Sequence, residues 1–92
     1  MRYFIGNWKM FGVPKSVNIL NKINSYYSKD KNRTKYRVVI TPPYTLIESY
    51  SRYFKSKMVS IGAQNCYQKE QFSSNTAAIS PYMLKSVGAQ YT

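Results

Sequence analysis

Short runs rich in β-branched and aromatic residues alternate along this chain with longer stretches whose apolar positions recur every three or four residues, and that alternation leaves few folds open. The runs are Tyr3–Gly6, Tyr36–Thr41 and Met58–Ala63. Between the first two, Val13, Val17, Leu20, Ile23 and Tyr27 fall on one face of a helix opening near Pro14, because residues three and four apart stack along a helix. Between the second and third, Leu46, Ile47, Tyr50 and Phe54 form another such face, with Glu48 and Arg52 four apart on the exposed side. Pro42-Pro43 stops the second run, since proline cannot donate to a sheet ladder. Ser80-Pro81 reads as an N-cap with a first-turn proline, Gly88 as the end of a short helix, and Ala89–Thr92 as the opening of a fourth strand. The expected elements are strands near 3–7, 36–41, 58–63 and 89–92 and helices near 14–29, 44–55 and 80–87, within one domain spanning 1–92.

Strands and helices in strict alternation form parallel βαβ units, whose right-handed crossovers bring every strand's carboxyl end to the same face. A doubly wound sheet and a closed barrel both satisfy the pattern. Gly6-Asn7-Trp8-Lys9-Met10-Phe11-Gly12 lacks the glycine spacing of a dinucleotide-binding turn, which favours the barrel. In either fold, ligands sit at the carboxyl ends of the strands. Asn7 and Lys9 stand at such an end, after a Tyr3–Gly6 segment expected to be buried, and strand alternation would send both to the same side. An amide beside a compact ammonium with three donors suits a small, anionic, oxygen-rich ligand. The plainer alternative is a solvated strand-end lysine next to a turn asparagine. Trp8 and Met10 read as packing residues.

Fourteen Lys and Arg stand against Asp30, Glu48 and Glu70, giving a net charge of +11. Such a surface attracts anions of any kind, from small substrates to nucleic acid. The charges are scattered, however, and the densest stretch, Lys29–Arg37, has the make-up of a solvated helix-to-strand loop. Hydrophobic residues at 43% suffice for a packed core and exclude a wholly disordered chain. Cys66 is the single cysteine and cannot form an internal disulfide; with no secretory-type leader, a reducing cytoplasm is the expected compartment. No apolar run approaches the roughly 18 residues a membrane span requires. Asn32-Arg33-Thr34 fits a glycosylation triplet, without consequence in a cytosolic protein.

Four short motifs, in order, narrow the reading further: Gly6-Asn7-Trp8-Lys9-Met10, Thr41-Pro42-Pro43-Tyr44, Gly62-Ala63-Gln64-Asn65-Cys66 and Ile79-Ser80-Pro81-Tyr82-Met83-Leu84-Lys85. Together, across nearly the whole chain, they resemble the triosephosphate isomerase family. The resemblance implies the α/β class and the N-terminal part of a TIM (β/α)8 barrel, parallel strands alternating with helices. It also implies cofactor-free, metal-free interconversion of dihydroxyacetone phosphate and glyceraldehyde 3-phosphate, in glycolysis and gluconeogenesis, by a cytoplasmic homodimer with no nucleic-acid or membrane partner. Lys9 matches the family's catalytic lysine, which holds the substrate phosphate and stabilises the developing enediolate; Asn7 matches the asparagine that orders that lysine and reaches the substrate. Met10, Gln64 and Thr76 match dimer-contact positions.

The same resemblance implies a glutamate base, a neutral histidine electrophile and a closing loop. This chain has no histidine, so it reads as the N-terminal portion of a chain of about 250 residues, inactive and poorly soluble by itself. The loop from Gln71 to Ala78 departs from the family pattern: Ala77 and Ala78 stand in place of a glycine and a glutamate beside Thr76, which bears on the loop's dimer geometry. Two other functions fit the residues: a truncated, non-catalytic relative that keeps only the contact surface, and a basic nucleic-acid-binding α/β module. Against the second, Tyr27, Tyr50 and Phe54 lie on expected core faces rather than on a stacking platform.

Overall fold

The structure is a computed structural model, and it describes residues 1–54, 58–69 and 71–92. Three strands, β1 (Arg2–Asn7), β2 (Tyr36–Thr41) and β3 (Ser60–Ile61), form a parallel sheet in the order β1-β2-β3. The helices α1 (Val17–Lys29), α2 (Tyr44–Tyr53) and α3 (Pro81–Ser86) follow the strands in turn. The expected end of the second helix at Lys55, and Glu70, lie outside the described residues.

The core forms where the helices meet the sheet. Leu20 and Tyr27 of α1, Leu46, Ile47 and Tyr50 of α2, and Leu84 of α3 are buried with Ile40, Phe54, Val59 and Ile61 in one cluster. At ten residues, α2 is shorter than the roughly 12–15 residues an isolated helix needs in water. Its stability therefore comes from this apolar face, where each fully buried Leu or Ile contributes about 1.5–3 kcal/mol. The expected Glu48–Arg52 pair forms at 2.7 Å on the opposite, exposed face, where such pairs contribute little.

Side chains fix the element ends. The Tyr27 hydroxyl, at the last turn of α1, donates to the Tyr36 carbonyl at 2.8 Å and lies 3.2 Å from that of Arg33. Asn24 accepts from the Met58 and Val59 N–H groups, tying α1 to the start of β3. Ser80 caps α3 by accepting from Met83 N–H at 3.2 Å. Gly88 ends that helix at φ +103°, where an added Cβ would lie 2.4 Å from Ser51 Cβ.

Several expectations change. The first run is not buried: Tyr3, Phe4 and Ile5 are 52, 57 and 61% exposed. β1 is the edge of the sheet, with β2 as its one neighbour among the described residues. Val13, expected on the α1 face, is exposed; a 3-10 turn over Pro14–Ser16 precedes α1, so Val13 lies outside the helical stripe. β3 is two residues long, and the segment after Gly88 contributes a single parallel bridge, Gly62↔Tyr91, with Gln90 N–H donating to Ile61 and Ala63 N–H to Tyr91.

The surface of the chain, on which β1 is exposed, is 6826 Å², against about 5,500 Å² for a compact protein of this mass. The isolated chain is therefore expected to associate and to bind a hydrophobic dye. Sedimentation velocity and dye fluorescence check this, and a monomeric, dye-silent, sharply melting species would contradict it.

A second expectation concerns Asp30, whose carboxylate accepts from the Tyr36 hydroxyl and from Asn32 N–H. These bonds hold its carboxyl below the usual 3.8, the Tyr36 hydroxyl being the main cause, while the same bond pushes the Tyr36 phenol up to about 12. A lowered carboxyl supports the fold above its unfolded pKa, and that support fades as pH falls through the folded value. A raised phenol supports it below about 10, and the support fades as pH rises towards 12. In Tyr36→Phe the Asp30 titration midpoint should move up towards 3.8, as followed by carboxyl NMR; an unmoved midpoint would dismiss the bond.

Candidate active site

The register Asn7↔Thr41 brings the carboxyl ends of β1 and β2 level. Trp8 N–H extends the ladder by one bond, donating to Thr41 at 3.1 Å, and there the strand stops. Lys9 turns into the left-handed region at φ 56°, and its N–H donates to Asn7 Oδ1 at 2.7 Å. Asn7 and Lys9 are thus joined by a side-chain turn, not by strand alternation as expected. The reason is local, since asparagine readily accepts from a main-chain N–H two residues on.

The Gln64 amide, just past β3, reaches back across both neighbouring strand ends. Its Nε2 donates to the Lys9 carbonyl at 2.7 Å and to the Thr41 carbonyl at 3.0 Å. Lys9 is therefore held on its N–H side by Asn7 and on its C=O side by Gln64, with its side chain exposed. That places Lys9 at the carboxyl edge of the parallel strands, on a backbone tied at two points.

The loop beyond Lys9 is pinned to α2. Trp8 stands edge-on to Tyr50, ring centroids 5.8 Å apart. Tyr50 in turn donates its hydroxyl to the Val13 carbonyl at 3.1 Å, and Val13 N–H donates to Ser16 Oγ at 3.1 Å. Burial pushes the Tyr50 phenol up. Gly12, at φ +118°, passes so near Trp8 that a Cβ there would meet the indole at 2.9 Å. Trp8 thus packs as expected. Met10 does not: it is 92% exposed, and Phe11 is 75% exposed, because the turn at Lys9 carries the chain away from the sheet.

Thr76 is exposed on the loop leading to α3. Its neighbour Asn75 donates its side-chain amide to the Tyr67 hydroxyl, Tyr67 N–H donates to Ile79, and Ala77 has φ 66°. The structure joins Asn7, Lys9 and Gln64 into one hydrogen-bonded unit and leaves Met10 and Thr76 on the surface. An open groove of about 570 Å³ lined by Ser51, Arg52, Lys85 and Gly88 shares none of these residues. Among the described residues no three His, Cys, Asp or Glu side chains gather as a metal site, and no helix is long and apolar enough to cross a membrane. Sequence reasoning missed the Gln64–Lys9 and Tyr50–Val13 links, both between residues far apart in the chain. The Gln64 position after a strand was the one available signal for the first.

A family model described as triosephosphate isomerase matches residues 2–92. The triosephosphate isomerase of Wolbachia pipientis wMel is 38% identical over 88 residues, covering 95% of this chain and 34% of that protein. That of Herpetosiphon aurantiacus is 32% identical over 87 residues, covering 94% and 33%. A crystal structure of triosephosphate isomerase from Bartonella henselae aligns with a TM-score of 0.84 at 30% identity, covering 96% of this chain and 35% of the other. The chain spans about a third of the length of the relatives it matches.

Proposed function

The chain belongs to the triosephosphate isomerase family, and on that footing we propose that it supplies the first part of an enzyme interconverting dihydroxyacetone phosphate and glyceraldehyde 3-phosphate. Lys9 is the catalytic and phosphate-binding cation, and Asn7 orders it. The observation that carries this reading is the tied Lys9 backbone, with Asn7 at 2.7 Å on one side and Gln64 at 2.7 Å on the other. Removing a proton from the carbon beside a carbonyl moves an electron pair onto the carbonyl oxygen. A fixed ammonium near that oxygen favours the charged intermediate without having to reorganise. The reaction is an internal proton shift and needs no cofactor. The enzyme acts in the cytoplasm as a homodimer, with the exposed Met10 and Thr76 and the neighbouring Gln64 forming part of the contact.

The histidine electrophile is not supplied by this chain, which has no histidine; the isolated 92 residues are expected to turn over neither triose phosphate above a buffer blank. In a full-length enzyme carrying this chain, Lys9→Met should lower kcat and weaken substrate binding together, by about 10²-fold or more. Lys9→Arg should restore only part, because a planar fork cannot take the place of a compact ammonium. Steady-state kinetics with both triose phosphates check this, and a kcat within about threefold of the parent would reduce Lys9 to a solvated lysine.

A further inference from the structure

We propose that Gln64 is a positioning residue for Lys9, acting on the reaction through the main chain of the lysine rather than only through a subunit contact; the proposal rests on the role given to Lys9 above. A left-handed φ of 56° at a residue other than glycine persists only where its surroundings enforce it. Two side chains do so here. Asn7 takes the Lys9 N–H and Gln64 donates to the Lys9 C=O, each at 2.7 Å.

The geometry at Gln64 leaves little freedom. Its Nε2 has two hydrogens, and both go to main-chain carbonyls, those of Lys9 and Thr41. The Thr41 carbonyl also accepts Trp8 N–H at 3.1 Å, so both its lone pairs are engaged. One amide thereby bolts the turn after β1 to the ends of β2 and β3. The direction of Cα–Cβ at Lys9 follows from this backbone, and so does the place where the ammonium can be delivered. Without the Gln64 donor, the Lys9 carbonyl loses its anchor while the Asn7 bond alone holds the N–H side. The ammonium would then sample several positions, and a misplaced catalytic group loses rate steeply.

The test is a double-mutant cycle in the full-length enzyme carrying this chain. Gln64→Met keeps the length of the side chain and removes the donors; Gln64→Asn keeps the amide but is too short to reach both carbonyls. Each is expected to lower kcat/KM by roughly 10-fold to 10²-fold. In a Lys9→Met background, Gln64→Met should change kcat/KM by less than about twofold, since there is no ammonium left to place. A full multiplicative loss in that background would overturn the proposal while leaving the role of Lys9 intact. If Lys9→Met itself has parent-like kcat, it is the functional reading that fails. A loss that follows subunit dissociation in sedimentation and recovers at higher protein concentration would make Gln64 a contact residue only. Unfolding of both Gln64 variants, or parent-like kinetics in both, would likewise overturn the proposal.

Discussion

The ladder between β1 and β2 runs in register from Arg2↔Tyr36 to Asn7↔Thr41, and everything at the carboxyl edge is placed by that register. A slip of one residue would turn every side chain of a strand to the opposite face. It would also move the Thr41 carbonyl away from Trp8 N–H and from Gln64 Nε2, which it accepts at 3.1 and 3.0 Å. The position of Lys9 is thus inherited from pairing along the whole length of the two strands. The buried Val39 and Ile40 give β2 its hold on the core, and β1, exposed along one edge, takes its place from β2.

Much of this was legible in the residues. The helix faces were written in the spacing of Leu20 and Tyr27, and of Leu46, Ile47, Tyr50 and Phe54, all of them buried. Ser80, Pro81 and Gly88 mark the ends of α3 through capping and backbone freedom, which depend on local sequence. The exposure of β1 was not legible. An apolar run states that a strand seeks cover, but the cover itself comes from other parts of a sheet. Nor could period-two alternation foresee that Asn7 would bend the chain through its own side chain. The Gln64 bond to Lys9 joins residues on separate loops, and no local pattern encodes it.

Charge has a similar split between local and global origin. Of the three acids in the sequence, Asp30 is engaged by Tyr36 and Asn32 and Glu48 by Arg52. Both interactions are short-range and leave the +11 surplus acting at a distance. Such a field raises the encounter rate with any anion and weakens with salt. It does not by itself select one anion, which is the task of fixed donors.

The Tyr27 hydroxyl, bonded to the Tyr36 carbonyl and near that of Arg33, bears on how the second strand is aligned. It closes a loop of fewer than ten residues, an event on the scale of about 10–100 ns once the helix turn exists, at small entropic cost. Pairing β1 with β2 closes a far longer loop, at greater entropic cost. The helix end therefore acts as a gauge that marks where the second strand begins. A phenol at the near end thereby shares in the alignment on which Lys9, at the far end, depends.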